Sequence, residues 1–206
     1  MSTAAVTDLE SLRQWMRTQG APPLPRREEA LPSGSDALDA LIGGGFPKGG
    51  VTVLAGPSGV GRMSLAAQLL ARETAKGRTG AWIDGQGTLY PPALASLGVD
   101  LTRALIVRAP DRAKALHAAE QIITSSAFSV VIASGIDEGL TPVRLRRLQS
   151  ATEAARVCTL LVLQDGGRAS GTALRLRLMR RDARVVIELE RSRQGPSGGR
   201  ASVEVA

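Results

Sequence analysis

The sequence contains few of the residue types on which disulfide bonding, metal binding and base stacking depend. It has one cysteine, one histidine, two tryptophans, one tyrosine and two phenylalanines among 206 residues. Cys158 lies within an apolar run, which predicts a buried, reduced thiol. His117 lies in a predicted helix without metal-binding neighbours, so a structural or surface role is expected. The aromatic residues mostly fall in a predicted N-terminal helix or at predicted core positions, which leaves few stacking platforms for nucleic-acid bases.

Long apolar runs are also missing. No stretch of 18 apolar residues occurs, and the N-terminus lacks the charged and then apolar pattern of a secretory signal. These absences predict that the chain does not span a membrane and is not secreted. We therefore expect a cytoplasmic protein.

Lysine is missing from the C-terminal third, where the positive charge of the chain is concentrated. Residues 144–200 carry 13 arginines and no lysine against 5 acidic residues, whereas residues 1–143 carry 13 basic and 13 acidic residues. This asymmetry is typical of a chain that contacts nucleic acid or an acidic protein. A solvated arginine-rich face is the alternative.

Strand-like and helix-like segments alternate through most of the chain. Predicted strands cover residues 51–55, 80–84, 104–108, 129–134, 157–163 and 183–189. Predicted helices cover residues 62–76, 91–97, 111–125 and 142–155. This order predicts an α/β fold with a mainly parallel central sheet and helices on both faces.

Three regions are expected along the chain. Residues 1–30 form an N-terminal helix and a proline-rich linker, residues 31–191 form the core, and residues 192–206 form a flexible C-terminal tail. The helix is predicted over residues 7–18, and it cannot bury an apolar face alone. It packs either on its own domain or on another chain through Leu9, Leu12, Trp15 and Met16.

A glycine-rich loop connects the first core strand to the following helix. Two glycines of residues 56–64 have the spacing of a Walker A loop, but Arg62 replaces its lysine and Met63 replaces its magnesium-binding hydroxyl. Methionine is a poor ligand for a hard cation. The pattern predicts that the scaffold is retained and the ATPase lost. The loop residues concerned are Gly56, Gly59, Gly61, Arg62, Met63 and Ser64.

Residues 31–191 contain, in order, the segment 31–39, the glycines 43–45, the loop 56–64, and residues 81–91 and 97–100. This order of motifs resembles the ATPase core of the RecA-like family, and within it the ImuA-type proteins of translesion mutagenesis operons. The ImuA-type signals are residues 43–49, Trp82 to Asp84 with Leu89 and Tyr90, residues 145–149 and residues 174–178.

The resemblance also implies that two catalytic carboxylates of the family are missing. Gln86 stands where RecA-type enzymes have a water-activating glutamate, and an amide is not a carboxylate base. The magnesium-linked aspartate is expected near Ser134 and Gly135, so only a slipped register could bring Asp137 or Glu138 there. Together these changes predict a pseudo-enzyme without a required cofactor. ATP binding through the loop backbone stays open.

The resemblance implies contacts with RecA recombinase and an ImuB-type Y-family polymerase homologue, with weak or indirect DNA contact. The predicted function is a non-catalytic adaptor or regulator of SOS-induced translesion synthesis, associated with the nucleoid during DNA damage. The alternatives are a SulA-type cell-division inhibitor, a slow ATP-dependent DNA-binding protein and a module that binds nucleic acid alone. Besides the N-terminal helix, the candidate partner-binding residues are Arg144, Arg146, Arg147, Arg175, Arg177, Arg180 and Arg181.

Overall fold

The computed structural model describes residues 30–164, 171–181, 184–193 and 197–203. The predicted N-terminal helix, with Leu9, Leu12, Trp15 and Met16, lies outside the described residues. None of the helices in the described ranges is long and apolar enough to span a bilayer.

The elements follow the predicted alternation of strands and helices. The strands are β1 (Ala30–Leu31), β2 (Phe46–Pro47), β3 (Gly50–Ala55), β4 (Gly80–Asp84), β5 (Ala104–Arg108), β6 (Val130–Ser134), β7 (Cys158–Leu163), β8 (Leu174–Arg181), β9 (Arg184–Ser192) and β10 (Arg200–Val203). The helices are α1 (Asp36–Ile42), α2 (Arg62–Ala75), α3 (Pro91–Ser96), α4 (Arg112–Thr124) and α5 (Pro142–Ala155).

Eight strands form the central sheet, in the order β10-β9-β8-β3-β7-β6-β4-β5. Neighbours from β8 to β5 pair in parallel, whereas β8, β9 and β10 pair antiparallel. The α/β prediction with a mainly parallel sheet is therefore confirmed. Every residue of β3, β4, β6 and β7 is buried, which explains their continuous apolar runs.

Helices cover the two faces of the sheet separately. One face packs on α1, α2 and α3 around Trp82 and Phe46. The other packs on α4 and α5 around Ile83 and Leu148. Cys158 lies buried and free in β7, as predicted, and burial raises the pKa of its thiol.

The start of α5 agrees with its sequence signal. The Thr141 side chain accepts a hydrogen bond from the Arg144 amide, and Pro142 occupies the first helical position. This cap determines where α5 leaves the short 3-10 turn Asp137–Gly139, which follows β6.

The C-terminal region differs from the predicted flexible tail. Strand β10 pairs with β9 and buries Ala201 and Val203, while Ser202 points outward. A four-residue strand with this alternation gives a weak sequence signal after a glycine-rich stretch, and burial against α1 and β9 orders it. Strand β8 is likewise missing from the predicted strands, although leucine and arginine alternate along it.

Candidate functional site

The glycine-rich loop lies at the carboxyl end of β3 and leads into α2. Gly56, Gly59 and Gly61 have φ angles of 151°, 81° and 88°. A Cβ atom at Gly56 would lie 2.4 Å from the Leu178 carbonyl oxygen of β8. The backbone at position 56 therefore requires glycine, and the loop places the N-terminus of α2 at the carboxyl edge of the sheet.

Arg62 is turned toward the protein's own backbone. Its guanidinium Nη1 donates to the Leu163 carbonyl oxygen at the end of β7, and only 8% of the residue is exposed. Burial lowers the pKa of Arg62, and the nearby negative charge of Asp137 opposes that effect. The cation that replaces the Walker A lysine is thus engaged by a carbonyl group, with the negative charge of a carboxylate nearby.

The two residues after Arg62 offer little to a metal ion. Met63 is 37% exposed and presents a thioether, a weak acceptor, and Ser64 is half-buried. In the described part of the chain, no group of three or more histidine, cysteine, aspartate or glutamate side chains has a metal-binding arrangement.

The end of β4 is organised by Asp84 rather than by Gln86. The buried Asp84 carboxylate accepts hydrogen bonds from the amides of Gln86, Gly87 and Leu89, at 3.1, 3.0 and 2.7 Å. Asp84 is therefore used to shape the turn. Gln86 is exposed, and its side chain lies over Gly135, where an added Cβ atom would be 2.6 Å from its Cγ atom.

The end of β6 places Asp137 beside the loop. Ser134 is buried and accepts a hydrogen bond from Trp82 Nε1 at 3.0 Å. Asp137 Oδ1 accepts a hydrogen bond from the Gln164 amide at 2.6 Å and its charge acts on Arg62, whereas Glu138 pairs with Arg112. Of the two carboxylates left open by the sequence, Asp137 is the one at the site.

The candidate arginines divide between two elements. On β8, Arg175 and Arg177 both pair with Glu190 of β9, while Arg180 and Arg181 are exposed near the end of the hairpin. On α5, Arg144 donates to the Gly139 carbonyl oxygen, Arg147 pairs with Glu120, and Arg146 is exposed. The predicted arginine-rich face is therefore partly neutralised by acidic neighbours.

Sequence reasoning missed the contacts that join the ends of β6 and β7 to the loop. Arg62 and Leu163 are 101 positions apart, and no local pattern links them. The signal available was Asp137 itself, an acidic residue just after a core strand that ends near the loop.

Comparison with known proteins supports the fold and defines the family. A model of the RecA N-terminal domain matches residues 22–145. Protein RecA of Prochlorococcus marinus (strain MIT 9303) is 36% identical over 117 residues, which are 56% of this chain and 30% of that relative. Protein RecA of Bifidobacterium breve is 39% identical over 110 residues, which are 52% and 28% of the two chains.

A structural relative covers more of the chain. The crystal structure of the RadB recombinase aligns with a TM-score of 0.66 and 21% identity, over 84% of this chain and 94% of that chain. This likeness concerns the fold. The matched part of this chain spans about 30% of the length of the RecA relatives. Because the RecA N-terminal domain matches more than half of its residues, this chain belongs to the RecA family.

Proposed function

We propose that this chain is a non-catalytic RecA-like adaptor or regulator of SOS-induced translesion DNA synthesis and mutagenesis. It acts through contacts with RecA recombinase and an ImuB-type Y-family polymerase homologue, in the cytoplasm and at the nucleoid during DNA damage. Membership of the RecA family and the ImuA-type order of motifs support this proposal.

The engagement of Arg62 carries the non-catalytic part of the proposal. A RecA-type ATPase requires a cation for the β- and γ-phosphates, a magnesium-binding hydroxyl and a carboxylate base. Here Arg62 is hydrogen-bonded to the Leu163 carbonyl oxygen, Met63 lacks a hydroxyl, and Gln86 carries an amide in place of a carboxylate. The side chains present therefore do not fit a magnesium–nucleotide complex.

Asp84 does not compensate for these changes. Its two oxygen atoms already accept three backbone amides at the end of β4. A carboxylate held in this way stabilises its turn and has little capacity left for a metal ion or an attacking water.

A second candidate, slow nucleotide-dependent activity, is favoured by one observation. The loop glycines keep left-handed backbone angles and the N-terminus of α2 faces the carboxyl edge, which suits an anion. Without charge neutralisation by lysine and Mg²⁺, a triphosphate gains little from this backbone alone.

Protein partners fit the remaining surface better than DNA does. Arg175 and Arg177 are paired with Glu190, and Arg147 is paired with Glu120, so much of the basic charge is matched within the chain. The sequence predicts that residues 1–30 contain a helix with an apolar face, which is available to dock on a partner. DNA contact is weak or indirect in this proposal.

The test is a pulldown from DNA-damaged cells with the purified chain, with and without nuclease. Recovery of RecA and an ImuB-type polymerase homologue despite nuclease supports bridging by protein contacts. A chain lacking residues 1–29 tests the predicted N-terminal helix and linker while it keeps β1, and Ser202→Asp, an exposed change on β10, serves as the control. Recovery of nuclease-sensitive partners alone contradicts the adaptor proposal.

An ATPase assay of the same preparation separates the two candidates. The adaptor proposal expects no turnover above the background of a Gly56→Asp variant, whose loop cannot form. Turnover that stops on substitution of Arg62 or Asp137 would establish the second candidate instead.

A further inference from the structure

A groove of about 470 Å³ runs between the outer surfaces of α4 and α5. We call it the α4–α5 groove. It lies on the opposite sheet face from α2, so it is separate from the glycine-rich loop helix. Its lining residues include Glu120 of α4 and Val143, Arg146, Arg147 and Ala151 of α5.

The charge of the α4–α5 groove is positive and only partly matched. Arg147 pairs with Glu120 across the groove at 3.0 Å, and its side chain is still 69% exposed. Arg146 is exposed and has no ion pair or hydrogen bond among the described residues. Two guanidinium groups thus face one carboxylate, and both retain N–H donors for acidic groups from outside.

An apolar contact point lies beside these charges. Val143 is 66% exposed in the first turn of α5. Val143, Arg147 and Ala151 follow one another at helical spacing along one side of the groove. The small side chain at Ala151 keeps the groove open to a bulky apolar group.

From this arrangement we infer that the α4–α5 groove docks an acidic amphipathic helix of a partner protein. The partner's apolar side chains lie against Val143 and Ala151, and its carboxylates pair with Arg146 and Arg147. This inference rests on the proposed adaptor function and gives it a surface and a partner chemistry. Binding of an amphipathic helix in a groove is a common mode of peptide recognition.

Two other occupants match the groove less well. The chain's own predicted helix, residues 7–18, has two acidic residues and two arginines, so it brings no net negative charge. A nucleic-acid backbone would place phosphates near the Glu120 carboxylate, and no aromatic residue lines the groove among the described residues.

The test uses a synthetic 18-residue helical peptide with leucines along one face and glutamates on the other. Its twin carries lysines in place of the glutamates. Binding to the full chain is measured by fluorescence anisotropy at two salt concentrations. We expect the acidic peptide to bind, the lysine twin not to bind, and affinity to fall as salt rises.

Matched variants localise the binding. Arg146→Glu with Arg147→Glu should weaken the acidic peptide about tenfold. Arg184→Glu with Arg191→Glu changes the net charge equally on the exposed positions of β9 and should leave affinity within about twofold of the parent. Val143→Ser should weaken binding at both salt concentrations, because it removes an apolar contact.

The outcomes distinguish this inference from the proposed function. Equal weakening by both charge-reversal pairs, or no binding of the acidic peptide, overturns the α4–α5 groove as the docking site. The pulldown of RecA and the polymerase homologue can still succeed in that case, through another surface. Circular dichroism of each variant shows that the fold is retained.

Discussion

Arg62 joins two parts of the carboxyl edge of the sheet through one side chain. It begins α2 and donates to the end of β7, and the negative charge of Asp137 after β6 lies near enough to oppose the lowering of its pKa by burial. Asp137 in turn accepts from the Gln164 amide. An arginine that replaces a phosphate-binding lysine has thus become a structural contact within the loop region.

Substitution of Arg62 tests this structural role. Arg62→Ala leaves the Leu163 carbonyl group without its donor and removes the positive charge near Asp137, so the free energy of unfolding should fall by about 2 kcal/mol. Denaturant unfolding at pH 7 measures it. Met63→Ala, at the exposed neighbouring position, should change it by less than about 0.5 kcal/mol. Equal effects of the two substitutions would show that the Arg62 contact contributes no stability.

Glu73 provides a second test at the residue scale. Its side chain is fully buried at the end of α2 and pairs with Lys76 and Arg78, both at 2.9 Å. Burial raises the pKa of the Glu73 carboxyl, but the hydrogen bonds from Lys76 and Arg78 outweigh it and hold the pKa below its ordinary value. The ionised form therefore stabilises the fold above the unfolded pKa, and this contribution is lost as pH falls through the folded pKa.

Glu73→Gln should accordingly destabilise the chain by about 1–3 kcal/mol at pH 7. The difference from the parent should shrink as pH falls below about 4. Urea unfolding at pH 7 and at pH 3 measures both values. Glu138→Gln, which affects an exposed ion pair with Arg112, is the control and should stay within about 0.5 kcal/mol. A difference that stayed constant with pH would contradict the linkage.

At the scale of elements, the antiparallel strands β9 and β10 extend the parallel sheet beyond β8. Leu174, Leu176 and Leu178 of β8 enter the core, and the opposite side of β8 carries the arginines that pair with Glu190. Strand β10 then closes this side through Val203 and Ala201. The alternation of buried and exposed residues assigns each side chain to one face.

Two substitutions on β10 test whether it belongs to the folded core. Val203→Asp puts a charge at a position that is 7% exposed, and it should lower the free energy of unfolding by about 3 kcal/mol. Ser202→Asp places the same charge one residue earlier on the exposed face, where the effect should be below about 0.5 kcal/mol. Thermal unfolding of both proteins provides the comparison. If neither variant shifts the transition, the segment behaves as the tail that the sequence predicts.

At the scale of the whole molecule, the proposal predicts that the stability of the fold does not depend on nucleotide. A ligand that binds the folded state raises the unfolding free energy, by about 2.7 kcal/mol at 100 times its dissociation constant. Millimolar MgATP should therefore leave the melting temperature of this chain unchanged. The double variant Arg62→Lys with Met63→Thr should gain a MgATP-dependent rise, because it restores the cation and the hydroxyl.

Hydrolysis should stay absent in that double variant, since Gln86 is still an amide. Differential scanning fluorimetry with MgATP, and with Mg²⁺ alone as the control, measures binding, and phosphate release measures turnover. A MgATP-dependent shift in the unchanged chain would show that the side chains present do accommodate a magnesium–nucleotide complex.

The parts of this molecule that sequence could predict are those governed by local patterns. Buried parallel strands such as β3 and β7 are continuous apolar runs, and the Thr141 cap marks the start of α5. The direction of the Arg62 side chain could not be predicted, because its acceptor lies on a strand that is distant in the sequence. Likewise β10 is ordered by packing on β9 and α1, and four residues carry too weak a pattern to reveal that.

The backbone of the glycine-rich loop constrains which substitutions the chain can accept. Any side chain at position 56 would clash with the Leu178 carbonyl oxygen. Position 59 has open space around it, so a side chain there would be strained only by the left-handed φ angle. Met63 faces solvent and has neither constraint. In a saturation library selected for folded protein, position 56 should accept glycine alone, position 59 should accept asparagine and a few others, and position 63 should accept most residues. The loop can thus lose its chemistry one side chain at a time while its shape is still selected by folding.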